Sequence, residues 1–114
     1  MLEVYRVPVT DRDHTRAGLA LHLVAASIGA PVRVIRDDPR NPASTRARRL
    51  AMYLAHIGYG WTVERVAHAF GMNRATAAKA CAWAEDARED PAVDALMETL
   101  EDCLRRIAVG GDAA

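Results

Sequence analysis

Six arginines, at positions 33, 36, 40, 46, 48 and 49, fall within seventeen residues and form the densest group of chemically capable side chains in this 114-residue chain. A guanidinium is a flat, permanently charged fork that matches two phosphate oxygens at once. Further along, Asn73, Arg74, Thr76 and Lys79 make a second set of donors at helical spacing. Arginine forks onto a guanine edge, asparagine pairs with adenine, threonine touches phosphate or a thymine methyl, and lysine reaches phosphate. Asn73 also has a competing structural role, because an asparagine beside a helix start is a good cap.

The chain holds 15 basic and 15 acidic residues, and zero net charge argues against a polyanionic partner until the charges are laid along the sequence. From Arg33 to Lys79 nine basic residues face three acidic ones, a net +6; from Glu85 to Asp102 eight acidic residues face Arg88 alone, a net −7. The plain reading of a charge run is a solvated helix face, and it is preferred for the acidic half. The alternative there is a docking face for a basic protein, such as RNA polymerase or a sigma-like subunit. For the basic half solubility is a poor explanation, and double-stranded DNA is the expected partner.

Other chemistries find no support. No Ser/His/Asp set, apolar carboxylate pair or phosphate-cradling glycine loop can be assembled, so the chain reads as a non-enzyme. Cys81 and Cys103 lack CxxC spacing and read as small apolar core residues. Histidines 14, 22, 56 and 68 never approach zinc-ligand spacing, so neither metal nor cofactor is expected. Without a long apolar run or a secretory layout at its start, the protein is expected in the cytoplasm, on the nucleoid, and not in a membrane.

The elements that must position these donors are helices. A flexible arm over residues 1–11, containing the one strand-like segment from Val4 to Val9, should precede a helical domain over 12–108 and a disordered tail over 109–114. A first helix is predicted from about Arg12, capped by Thr10 or Asp11, to Ile28, with Leu19, Leu23 and Ala26 on its apolar face. A helical turn over 32–36 follows, then a loop over 37–43 that Pro39, Asn41 and Pro42 keep irregular. The next helix should start near Ser44 or Thr45, bury Leu50, Tyr53, Leu54 and Ile57, and crowd Arg46, Arg48 and Arg49 into its first turn against the helix dipole. Trp61 should anchor the turn after Gly58-Tyr-Gly60. Thr62 caps a short helix to Phe70, Gly71 turns the chain, and a slim, alanine-rich helix runs over 73–84. Asp90-Pro91 opens the last helix.

Two segments carry a family resemblance. Arg46-Ala-Arg-Arg-Leu-Ala-Met-Tyr-Leu-Ala55 is similar to RPRQxAMYLA, and Val66-Ala-His-Ala-Phe-Gly71, with Thr76 and Ala80-Cys81, is similar to IGxxFGRDHSTVxxAC. Both patterns belong to the C-terminal, box-binding domain of the bacterial replication initiator DnaA. Leu23 to Val32 also sits where that family has a helix running into a glycine turn, so the resemblance covers roughly residues 17–108. It implies an all-α domain of about five helices with a central helix-turn-helix, whose second helix lies in the major groove. It further implies Arg40 as a minor-groove arginine, Arg48 as a phosphate clamp with Arg46 and Arg49 beside it, and Arg74 where the family places a base-reading histidine.

The departures matter as much. The family's base-reading run Arg-Asp-His-Ser/Thr-Thr is replaced here by Met72-Asn73-Arg74-Ala75-Thr76, in which only Thr76 survives. No GxxxxGK loop is present to bind a nucleotide. The resemblance thus implies a stand-alone, DNA-binding transcription regulator whose site differs from the DnaA box. The alternatives are the DNA-reading subunit of a split activator, as in control of phage-like gene transfer agents, or a competitor at DnaA boxes.

Overall fold

Helix-forming runs separated by glycine, proline and asparagine dictate an all-helical chain, and the computed structural model, which describes residues 11–38 and 40–112, contains no strand among them. Among the described residues six helices follow in order: α1 (Asp11–Ile28), α2 (Val32–Asp37), α3 (Pro42–Gly58), α4 (Val63–Phe70), α5 (Arg74–Ala87) and α6 (Pro91–Asp112). Thr10, the Val4–Val9 segment and the rest of the arm ahead of Asp11 lie outside the described residues, as do Ala113 and Ala114. Six helices rather than about five form because α2 is a complete short helix, with Ile35 as its buried anchor.

The central element is α3, which touches each of the other five helices. Every residue from Leu50 to Ala55 is buried, so this helix is enclosed rather than striped, while Ile57 packs at the core's margin. It begins at Pro42, two residues before the expected Ser44. Proline at the first helical position needs no amide partner, and the Asn41 side chain caps the turn by accepting from the Ala43 N–H at 2.8 Å. The residues read as loop breakers are therefore a helix start. Arg46, Arg48 and Arg49 consequently fall in the second turn, where the dipole penalty has largely faded.

On α1 the buried arc is Asp13, Ala17, Ala20 and Val24; Leu19 and Leu23 flank it, half-buried, and Ala26 is exposed. Small side chains on that arc let α1 approach α3 closely, which the sequence reading, weighted toward the leucines, did not foresee. The buried Asp13 carboxylate accepts two hydrogen bonds from Arg65 of α4, at 2.9 and 2.8 Å. The pair offsets the desolvation of the charge and pins α1 to α4. The Arg65 guanidinium also lies 4.6 Å from the ring centre of Trp61, which is buried as expected.

Two clusters fill the interior. One joins α1, α3 and α6 through Val24, Leu50, Tyr53, Leu54, Met97, Leu100 and Leu104. The other seats α4 and α5 on α3 through Met52, Ala55, Val66, Ala67, Ala77 and Ala80. Asp90 caps α6 as read, accepting from the Ala92 N–H at 2.9 Å, but the helix continues to Asp112, past the point where the tail was expected to begin. Glycine costs a helix about 1 kcal/mol per residue without forbidding it, and no proline stops this one. Among the described residues no helix is long and apolar enough to cross a membrane.

Candidate nucleic-acid interface

The connection between α4 and α5 is built by three local devices. Thr62 Oγ1 accepts from the Arg65 N–H at 3.2 Å and opens α4. Gly71 closes it with φ 69°, a left-handed conformation that a side chain would strain, and Met72 N–H returns to the Ala67 carbonyl at 2.8 Å. Asn73 then caps α5, its Oδ1 accepting from the Thr76 N–H at 2.8 Å. The side chain weighed as an adenine reader thus has its acceptor engaged in the cap. The helix it opens runs to Ala87, three residues beyond the expected end.

Ala77, Ala80, Cys81 and Ala84 bury one face of α5, and burial pushes the Cys81 thiol up from its ordinary pKa. Ala75, Lys79 and Ala82 stand on the exposed side, so the accessible surface of this helix is slim. Its flank toward α3 forms a shallow, open cleft of about 300 Å³ lined by Arg49, Met52, Thr76, Lys79, Ala80 and Trp83. Trp83 is shared by two guanidiniums, with Arg49 5.3 Å and Arg46 5.9 Å from the ring centre. Such stacking holds a cation in place without neutralising it. Among the described residues no carboxylate pairs with Arg46, Arg49 or Lys79. Arg49 and Lys79 therefore bring two positive charges to the cleft, and Arg46 adds a third beside Trp83, along the second and third turns of α5.

The other arginines are differently placed. Arg48 is half-buried and donates from Nη1 to the Ile35 carbonyl at 3.3 Å. With the buried Ser44 hydroxyl, which donates to the Val34 carbonyl at 3.3 Å, it satisfies the C-terminal end of α2. The residue implied as a phosphate clamp thus turns toward α2 and away from the Trp83 cleft. Arg40 is exposed in the turn ahead of α3. Arg74 is exposed at the start of α5 and donates from Nε to Glu64 at 2.5 Å.

Two acids of the C-terminal half are tied into the fold, Asp94 half-buried and Glu101 buried, while the other six are exposed. Arg88 donates to Asp94, to Glu101 and to the Tyr53 hydroxyl, which itself donates to Glu85 at 2.7 Å. Burial opposes the Arg88 charge, but these hydrogen bonds and the Glu101 charge raise its pKa above the ordinary arginine value. Asp90 is the α6 cap and Asp102 pairs with Arg106 at 3.0 Å. A docking face made of all eight acids is therefore not what the fold presents. On the other side of the core, Tyr59 donates its hydroxyl to the Arg16 carbonyl at 2.9 Å, and burial pushes its pKa up to about 12.

Trp83, Met52 and Glu64 were missed as members of the interface. The i, i+3, i+7 spacing of Thr76, Lys79 and Trp83 was readable as one face, and so was the i, i+3 pair Arg46 and Arg49. Nothing local pairs those two faces with each other. No family model, curated protein or solved structure matches the chain.

Proposed function

We propose that the protein binds double-stranded DNA and acts as a stand-alone transcriptional regulator, with α4 and α5 as a helix-turn-helix of the kind the DnaA C-terminal domain uses. The observation that carries this reading is the cleft between α3 and α5, lined by Arg49, Lys79 and Trp83 with Arg46 beside the indole, where no carboxylate among the described residues neutralises the three cations. These cations sit on the phosphates flanking the major groove, and the first two turns of α5 enter it. Glu85 and Asp86, exposed at the far end of α5, would repel phosphate and limit entry to that N-terminal half. Base reading falls to Arg74 and Thr76. Arg40 reaches an adjacent minor groove.

Selection of bound sequences from a pool of randomised duplexes tests the reading. The expected outcome is a defined motif, unlike the DnaA box, since the family's base-reading run is replaced at Met72 to Ala75. Preferential binding of a DnaA box over a scrambled duplex at moderate salt would instead restore a replication-linked role. Failure to retain any duplex at low salt would overturn DNA binding altogether.

A further inference from the structure

Arg74 is the only long, forked donor in the first turn of α5, and it is already occupied by Glu64. We propose that Glu64 is a specificity-determining positioning residue, whose carboxylate withholds Arg74 from isolated phosphates and releases or shares it only for a guanine edge. The inference rests on the duplex-DNA reading above.

The two partners are unequally anchored. Glu64 lies in the first turn of α4, where the helix dipole favours a carboxylate, and its side chain is 23% exposed; that of Arg74 is 65% exposed. Glu64 is thus the fixed half of the pair and Arg74 the movable half. Exchanging Glu64 for a single phosphate replaces one charge-assisted hydrogen bond by another of the same kind, so little is gained on a random sequence. A guanine presents two acceptors in the plane of the fork, and that bidentate match rewards the exchange. Specificity rises because the wrong partner is made less favourable, not because the right one is bound more strongly. Lys79, with no such guard among the described residues, neutralises phosphate on any sequence.

The test is the salt dependence of binding to a mixed-sequence duplex. With the Glu64 charge removed in Glu64→Gln, the hold on Arg74 weakens and Arg74 should engage a phosphate, steepening the log–log salt slope by about 0.9 and raising affinity for the mixed duplex. The gain should vanish in Glu64→Gln/Arg74→Ala, because it acts through Arg74. Glu98→Gln, which removes one exposed acid on α6, should not steepen the slope. In selection from randomised duplexes, Glu64→Gln should return a motif with a weakened guanine preference. An unchanged slope in Glu64→Gln and Glu64→Ala, or a gain that survives in the double variant, overturns the role of Glu64 while wild-type binding leaves the DNA reading standing. Wild-type protein that shows no salt-dependent duplex binding overturns both.

Discussion

Arg88 and the pair Arg46 and Arg49 are the same residue type in opposite situations. The Arg88 side chain is 18% exposed and donates to Asp94, Glu101 and Tyr53, so its charge is spent joining α5 and α6 to the core. Arg46 and Arg49 are exposed, lie 5.9 and 5.3 Å from the centre of an indole ring, and are matched by no carboxylate among the described residues. Arginine count alone therefore says little about binding. What distinguishes a structural arginine from an available one is whether the fold has already satisfied its fork, and the two regions give opposite answers.

That contrast can be broken by substitution. The largest effect is expected at the structural arginine: Arg88→Ala should lower unfolding free energy by about 3 kcal/mol, because it leaves the nearly buried Glu101 carboxylate with only the longer Arg105 contact at 3.4 Å, yet leave the salt slope of DNA binding unchanged. Urea denaturation and duplex titration on the same samples check both halves. A stability loss below about 0.5 kcal/mol, the level of an ordinary surface change, would put Arg88 in the same class as the cleft arginines. Next in size, Arg74→Ala should cost roughly 1 to 3 kcal/mol of discrimination between the selected site and a scrambled duplex. A uniform loss on both duplexes would reassign Arg74 to phosphate.

Asn73→Ala should cost about 1 kcal/mol of stability through loss of the α5 cap. Asn73→Ser, a competent cap, should restore both stability and site preference; stability without preference would show that Asn73 reads a base as well. A further effect, confined to alkaline pH, belongs to a group outside both regions. Tyr59 holds its proton up to about 12 in the folded chain against an ordinary 10.0, so the folded state binds that proton more tightly than the unfolded one. Stability should fall as pH rises from 10 to 12, and Tyr59→Phe should flatten that part of the curve when denaturation midpoints are followed with pH.

The helices were legible because their signals are local. Thr62, Gly71 and Asp90-Pro91 do what their residue types suggest, and the bounds of α4 and the start of α6 follow from them. Asn41-Pro42 misled because the same two residues that break a helix also begin one, and only the tertiary path of α3 decides between the roles. The site was legible in half. The arginine cluster and the α5 donors could be named from spacing, but their partition could not: Arg48 is drawn to α2 by the Ile35 carbonyl and Arg46 and Arg49 to Trp83 by the crossing of α3 with α5. Glu64 with Arg74, ten positions apart, and Asp13 with Arg65, fifty-two apart, exist only once the helices have packed. The acidic run reads as a surface and six of its eight acids are exposed, but the ties of Asp94 and Glu101 to Arg88 form only once α5 and α6 have packed.

The cleft itself is most directly tested by the salt slope of duplex binding in Arg46→Ala/Arg49→Ala/Lys79→Ala, set against Arg105→Ala/Arg106→Ala as a control on α6. Every phosphate that is no longer neutralised should reduce the slope by about 0.9, so the triple variant should fall short of wild type by about 2.7 while the α6 variant keeps the wild-type slope. A folded triple variant with the wild-type slope, or an equal fall in the α6 control, would contradict a phosphate-binding cleft between α3 and α5.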